Sequence, residues 1–555
     1  MKKILIFITF LFYVSILFSQ EALKSTEEDY YDFLALDGIT ERPTLGYRTL
    51  SDSVWEIKEE KNHIWKNNNL GCQKVLWESE NQGNNWFTKG FFHGTKIKIF
   101  GPEWFNSFNT TAPYGQNDGA LWQGKGYNTS FSTGIRVESF GFELTVKPQV
   151  SFSQNLEFEY ITPNYQNENS IYSNKAGIFG YYGVRSLDAP QRFGNKSIIT
   201  FDFGDSEIRY NWYSFTIGFG TQSIWLGPAK LNPIIHSNNA PSYPKFDIGI
   251  RKQKINLPWW NISLGEIEFR GWVGKLSESD FFDTDDTNND NLISGLSVAW
   301  SLPWIFKGLT IGFNRTMLSK WNKISPYTLF EIYIPWMKSD AGEDESDQRA
   351  SITIDYLIPK VGFEIYFEWA RNDFQTADGN FIRYPFHTQA WTVGSQKSFD
   401  LSDKIKGNFL IEVLYLECSH DYMTTYEWYS TFYAHHKITQ GYTNKGQWLG
   451  SGIGTGGNSQ FFGFELLYPR GKSTLSFQRI NPDLDYIYYV APDRQDSYAS
   501  KMNTLLIYGF ENLFFITNNI IFDFCFKYIH ELSANYEEFG KRNRLYFSLN
   551  LKYNI

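Results

Sequence analysis

From Leu545 to Ile555 the chain reads LYFSLNLKYNI. Leu545, Phe547, Leu549, Leu551, Tyr553 and Ile555 share one side; Tyr546, Ser548, Asn550, Lys552 and Asn554 share the other. A β-strand sends successive side chains to opposite faces, so this segment reads as a strand with one apolar and one wet face. Its length matches the ~9–11 residues a tilted strand needs to cross a bilayer. A strand of this kind at the carboxyl end is the expected closing strand of an outer-membrane barrel. The soluble alternative is the edge strand of a β-sandwich.

The amino-terminal end has the form of a secretory signal: Lys2 and Lys3, then a nearly unbroken apolar run from Ile4 to Phe18. Residues 1–19 are expected to be removed, with cleavage near Ser19 or Gln20. Cys72 is the first cysteine, too distant for a lipoprotein anchor. Export together with the alternating pattern implies a bacterium with two membranes. Beyond the signal, no uncharged apolar run reaches the ~18 residues of a helical membrane span. The greasiest stretch, Leu505 to Phe524, is interrupted by Glu511, Asn512, Asn518, Asn519 and Asp523, and reads as two strands around a turn. Mean hydropathy is negative, as in a barrel where only alternate residues meet lipid. Aromatics make up 19% of the chain, enough to furnish girdles at two membrane interfaces; an aromatic-rich, carbohydrate-binding sandwich is the bland alternative. A net charge of -9 argues against a nucleic-acid partner. Cys72, Cys418 and Cys525 are too few and scattered for a disulfide framework or a metal site, and no cofactor is implied.

Residues 20–92 are expected to form a small periplasmic helical element, and residues 93–555 an outer-membrane β-barrel with long loops. Ser25-Thr26-Glu27-Glu28 is a capping-box pattern, followed by Tyr30, Phe33 and Leu34 at helical spacing and by Gly38 as a stop. Ser53-Val54-Trp55-Glu56 is a second such pattern, with Ile57, Ile64 and Trp65 downstream and a linker over 41–46 between the two. Two or three helices of this size cannot hold a large core alone and should pack on the periplasmic end of the barrel. From about Gly94 the sequence alternates. Ile199-Phe201-Phe203, Phe215-Ile217-Phe219, Ile352-Ile354-Tyr356 and Phe409-Ile411-Val413-Tyr415 are apolar faces. Ile262-Leu264-Ile267-Phe269 carries a slip in register that reads as a bulge. The segments number about 16–18, within the bacterial range. Tyr356 to Val361 is a short, periplasmic-type connection. The gaps 155–197, 223–245, 276–290, 320–347 and 420–458 are expected to be external loops or a lumen plug.

The sharpest motif is Trp225-Leu226-Gly227-Pro228-Ala229, followed by Ile234-Ile235-His236-Ser237-Asn238-Asn239-Ala240-Pro241. Trp225 offers a flat apolar face for sugar C–H groups, and Asn238 and Asn239 each offer a donor beside an acceptor, matched to vicinal hydroxyls. A structured turn explains the same residues, since Gly227-Pro228 punctuates and Asn tolerates unusual backbone angles.

This cluster resembles the hallmark of the capsule assembly Wzi family, roughly Trp-Trp-Gly-Pro-Gly, a short spacer, then Ser-Asn-Asn-Ala. Trp225, Gly227, Pro228, Ser237, Asn238, Asn239 and Ala240 match, while Leu226 and Ala229 depart from the pattern. Asn117-Asp118-Gly119-Ala120-Leu121-Trp122-Gln123-Gly124-Lys125-Gly126 resembles members from Bacteroidetes-like bacteria. His435 to Gly446 resembles the family's carboxyl-terminal half. The resemblance implies an outer-membrane barrel of about 18 strands with a periplasmic helical bundle. It further implies a non-catalytic lectin that holds capsular or other surface polysaccharide at the cell surface. The implied polysaccharide-binding residues are Trp225, Gly227, Pro228, Asn238 and Asn239, then Asn117, Trp122 and Gln123. Polysaccharide, outer-membrane lipid and polysaccharide export machinery are the partners to expect.

Other candidates are weaker. Asp283 to Asn291 invites a calcium loop, but Asn291 stands where the turn glycine belongs and Ser297 where the closing Glu belongs, so a solvated acidic loop is the simpler reading. Glu343-Asp344-Glu345 with Asp347 reads the same way. His435 and His436 would point to opposite faces of a strand. Gly450 to Gly457 lacks the lysine of a phosphate loop and reads as a flexible or tightly packed loop. No nucleophile elbow or zinc-protease helix is present. The rival functions are a porin or transporter for small solutes, an outer-membrane hydrolase, and a secreted sandwich.

Overall fold

The alternating segments form one closed wall. The computed structural model describes residues 18–20, 24–57, 62–68, 75–78, 95–161, 187–257, 262–283, 285, 287–334, 346–372, 385–419, 432–435, 437–487 and 499–554. Most of the signal, Cys72, Thr284, Asp286, the 343–345 acidic run, His436 and Ile555 lie outside the described residues.

Eighteen antiparallel strands make the barrel. They are β1 Thr95–Asn109, β2 Gly126–Ser139, β3 in two parts (Phe142–Val146 and Gln149–Ser153), β4 in two parts (Ile198–Asp202 and Glu207–Trp212), β5 Phe215–Gly220 and β6 Lys245–Leu257. Next come β7 Ile262–Ser277, β8 Asp290–Ser301, β9 Leu309–Lys320, β10 Ser346–Ile358, β11 Phe363–Asn372 and β12 Gln389–Ser402. The last six are β13 Ile405–Tyr415, β14 Asn458–Tyr468, β15 Gly471–Asn481, β16 Thr504–Phe515, β17 Ile520–Leu532 and β18 Lys541–Tyr553. β18 pairs with β1 from Tyr546↔Asn109 to Lys552↔Glu103, which leaves no open edge in the ring. No described helix is long and apolar enough to cross a membrane.

The pleat explains the wall. In β18, Arg544, Tyr546 and Ser548 are buried inward, while Leu549, Leu551 and Tyr553 are exposed outward. Ile199, Phe201, Phe219, Ile352, Ile354, Phe409 and Ile411 face outward as the alternation requires. The slip in β7 is a bulge: Ile255 pairs with Gly265 and Asn256 with Ser263, leaving Leu264 as the extra residue. Leu505 to Phe524 is indeed two strands around a turn.

All short connections lie at one end, including Pro359–Val361 between β10 and β11; the long ones lie at the other. Helix α1, Thr26–Leu36, closes the short-turn end. Ser25 is its N-cap and accepts from the Glu28 N–H, while Glu28 accepts from the Lys24 N–H one residue outside the expected box. Gly38, at φ 71°, stops the helix as read. Tyr30, Tyr31, Phe33 and Leu34 pack with Trp55 and Trp65 against Leu467, Leu513, Phe515 and Ile521 of the wall. The second capping pattern is not a helix: Val54–Glu56 is a short strand, and only α1 and a 3-10 turn at Lys66–Asn68 are helical among the described residues before β1. A β-branched and an aromatic residue side by side favour the extended state there.

Residues 42–53 run inside the lumen, where the wall presents charges. Arg42 pairs with Asp32 at 2.7 Å, Asp355 at 2.9 Å and Glu364 at 2.6 Å. Asp52 binds Arg251 at 2.7 Å and Arg270 at 2.6 Å. The amino-terminal element is therefore a plug sharing one ionic network with the barrel interior.

Candidate functional site

The β5–β6 connection descends into the lumen from the long-loop end and meets the plug: Trp225 and Leu226 pair antiparallel with Arg48 and Tyr47. Gly227 sits at φ 79° and Pro228 follows, giving a turn that Trp225 closes by donating its Nε1–H to the Ala229 carbonyl at 2.9 Å. Inward carboxylates of the wall take up backbone donors of the loop and of the plug. Glu412 accepts from the N–H groups of Lys230 (2.8 Å) and Asn232 (2.8 Å), Glu368 from Ile234 (2.9 Å), and Glu268 from Tyr47 (2.6 Å). A buried backbone segment without such partners would be costly, so the carboxylates dictate where the loop sits. Burial lowers the His236 imidazole to about 4, so it is neutral at pH 7, and its Nε2 lies 2.8 Å from the Tyr243 hydroxyl.

The three motif stretches meet above this turn. The Asn117 N–H donates to Asn239 Oδ1 at 3.0 Å, and Asn117 Nδ2 to the Leu231 carbonyl at 3.0 Å. The Gly119 N–H donates to the Asn238 carbonyl at 3.0 Å. Asn239 Nδ2 donates to the Trp448 carbonyl at 3.1 Å, and Gln447 Nε2 to the Gly119 carbonyl at 3.1 Å. The β1–β2, β5–β6 and β13–β14 connections are thus sewn into one layer. The glycine-rich stretch belongs to it and is tightly packed: side chains at Gly450 and Gly452 would strike the Ile234 carbonyl and Asn239 Oδ1.

On the outer side of this layer opens a cavity of about 290 Å³. Trp122, Gln123, Asn239, Gln116, Gln447 and Trp448 line it, together with Tyr160, Gln191, Arg542 and Arg544. Trp122 packs against Phe193 in a tilted pair, ring centres 4.8 Å apart. Gln123 accepts from Ser107 at 2.6 Å. Arg542 and Arg544 both bind Glu531. Burial raises the Asp118 carboxyl to about 7, against the smaller opposing pull of Gln123 and Lys527. Aromatic faces beside converging amides suit a hydroxyl-rich, weakly charged ligand.

The expected site residues divide. Trp122, Gln123 and Asn239 line the cavity; Asn117 and Asn238 support the layer beneath it, lining a second, inner cavity of about 210 Å³. Trp225 is 0% exposed, with the Arg48 guanidinium 5.1 Å from its ring centre; Gly227 and Pro228 border a small gap of about 30 Å³ beside the plug. Those three lie in the interior, away from the outer cavity. Gln447 and Trp448 directly follow the 435–446 stretch, and Tyr160 and Gln191 fall in the 155–197 gap, whose sequence suggests only an external loop or a lumen plug. His435 is in a loop rather than a strand, its Nδ1 accepting from the Lys437 and Ile438 N–H groups at 3.3 and 3.2 Å. Asp283 and Asp285 accept from their own turn, at Asp285 and Thr287.

A closed ring of strands with an apolar outer face and a charged, plugged lumen defines an outer-membrane β-barrel protein. Within that class the chain belongs to the family of the capsule assembly protein Wzi, whose model matches residues 109–479. The solved Wzi of Escherichia coli, described as an outer membrane protein involved in group 1 capsule assembly and a carbohydrate-binding β-barrel, aligns at TM-score 0.55 and 12% identity, covering 82% of this chain and 84% of that one. The channel DcaP of Acinetobacter baumannii aligns at TM-score 0.30 and 10% identity over 83% of this chain and 97% of that one. OpdK of Pseudomonas aeruginosa, solved with vanillate, aligns at 0.38 and 8% over 83% and 98%. No curated protein matches this chain.

Proposed function

We propose that this protein is a lectin that binds capsular or other surface polysaccharide in the outer cavity and retains the polymer at the cell surface, with no bond made or broken. In this reading the long-loop end faces the medium, and the helix-closed end faces the periplasm, where polysaccharide export machinery would deliver the chain. The observation that carries it is the cavity itself: Trp122 and Trp448 beside Gln116, Gln123, Gln447 and Asn239, at the end of a plugged barrel. The carbohydrate binding reported for the E. coli relative supports the same class of ligand. A single shallow subsite is weak, but a repeating polymer engages many barrels at once, so retention follows from avidity.

The test is to separate cell-bound from shed glycan in cells carrying wild type, Trp122→Ala or Gln447→Ala. Glycan still made but released by the variants, with normal barrel assembly, supports the reading. An unchanged bound fraction refutes it.

A further inference from the structure

The outer wall of a membrane barrel should be apolar and bare, but one patch of this wall is neither. On β7–β10 the outward positions near the long-loop end include Gly271, Leu292, Ser294, Arg315, Met317, Ser319, Ser346 and Gln348. Their outward sense follows from the register: Glu268, Arg270 and Trp272 turn inward, and Val273 pairs with Ser294, Ser294 with Met317, Met317 with Gln348. All seven non-glycine members are buried, and Arg315 is 0% exposed. Lower on the same wall, Trp300, Ile311, Ile352 and Ile354 are exposed.

The cover is the start of the β9–β10 connection, which turns outward and folds back over the wall. It comprises Trp321–Lys323, the one-turn helix α2 Pro326–Phe330, and Glu331–Tyr333. Ser325 starts α2 with a full capping box, exchanging bonds with Thr328. Arg315 Nη1 donates to the carbonyls of Glu331 (3.3 Å), Ile332 (3.0 Å) and Ile334 (3.2 Å), and Nη2 to Gln348 at 2.8 Å. Gly271 leaves room for Tyr333, whose hydroxyl occupies the space a side chain would need. The inner face of the strap thus satisfies the donors of a guanidinium that bare lipid would not tolerate. Its outer face exposes Trp321, Ile324, Tyr327, Tyr333 and Phe330, the last 63% exposed.

We propose that residues 321–334 are an interfacial anchor, docked on the barrel's outer wall and seated in the headgroup–acyl boundary of the surrounding lipid leaflet. The exposed face is continuous with the lipid-facing belt of Trp300, Ile311 and Ile352, so the lipid that covers the belt covers the strap. Its composition is that of the boundary zone: tryptophan and tyrosine rings with lysines, Lys323 on the strap and Lys275 on β7, whose ammonium lies 5.3 Å from the Trp321 ring centre. The anchor fixes the height of the loop end above the bilayer, where a pulling polymer would load it.

The full-length protein with Cys72→Ser, whose remaining Cys418 and Cys525 are buried, is labelled with a nitroxide at Phe330→Cys, and separately at Tyr327→Cys. It is reconstituted in vesicles of phosphatidylethanolamine and phosphatidylglycerol, with folding checked by heat-modifiable gel mobility. Glu537→Cys, a charged and exposed position in a turn of the long-loop end, is the aqueous control. The expected result is a several-fold higher ratio of oxygen to nickel-chelate accessibility at both strap positions than at 537. A ratio equal to that at 537 places the strap in water and overturns the proposal. So does spin–spin broadening at 330 that disappears on dilution with unlabelled protein, which would make the face a contact between copies.

Discussion

The Asn117 N–H lies 3.0 Å from Asn239 Oδ1, a hydrogen bond that ties the first long connection of the barrel to the third. Through Asn239 Nδ2 the same side chain reaches the Trp448 carbonyl, so one buried amide holds three loops together. Asn239→Ala leaves a buried donor and a buried acceptor unmatched, a cost of about 1–3 kcal/mol. The expected outcome is loss of glycan retention with a barrel that still resists unfolding in detergent. Normal retention by the folded variant would remove this amide from the binding layer.

Trp225→Ala should behave differently. Its ring is enclosed between the plug and the β5–β6 turn, and truncating a buried tryptophan costs about 3–5 kcal/mol. The unfolding temperature read by heat-modifiable mobility should fall, and retention should fall only as the loop layer loosens. A variant of unchanged thermal stability that fails to bind glycan would instead make Trp225 a contact residue.

The plug is held by charge. Lys230 binds Asp32 at 2.6 Å and Glu364 at 3.3 Å, and Arg42 binds both of the same carboxylates. Removing one member strands buried carboxylates, so Arg42→Met should destabilise the plug by about 3–5 kcal/mol. The wild type should be nearly closed in planar bilayers, and the variant should show openings. Arg42 and Lys230 hold the Asp32 carboxyl well below its ordinary value despite burial. A depressed carboxylate contributes its full stability above its unfolded pKa and loses it progressively as pH falls from there through the folded one, so acid milder than the ordinary aspartate value should not release the plug. A steady, high conductance from wild type at neutral pH would favour the porin reading.

The wall was legible and the interior was not, for a physical reason. Lipid imposes a strict rule on every second residue, and Ile199-Phe201 or Leu549-Leu551 displays it within a few positions. The lumen imposes no such rule. Glu268, Glu368 and Glu412 are spaced by the strands they occupy, and their partners are backbone groups of loops far away in sequence. Trp225 drew a stacking role because an isolated tryptophan in a loop looks available; only the pairing with Arg48 shows it enclosed. The Ser53 pattern failed likewise, because the pattern of a capping box does not reveal that Val54 and Trp55 will be extended. The strap at 321–334 carries no alternation, so nothing marked it as part of the membrane face.

Asp118 gives the cavity a titration near neutrality. Its carboxyl is raised to about 7 chiefly by burial, with Gln123 and the Lys527 ammonium opposing. The folded form therefore holds a proton that the unfolded form has lost between the ordinary aspartate value and about 7, so stability from this group falls as pH rises across that window. For ligands the consequence has the same direction. Below about pH 7 the group is neutral, and the field of Arg542 and Arg544, only partly offset by Glu531, is at its most positive. An anionic polysaccharide should be retained more strongly at pH 6 than at pH 8, and Asp118→Asn should remove the step while holding retention at its low-pH level. A neutral glucan should show no step in either protein. Binding isotherms of detergent-solubilised wild type and Asp118→Asn across this range decide it: a step that survives the substitution assigns the titration to another group.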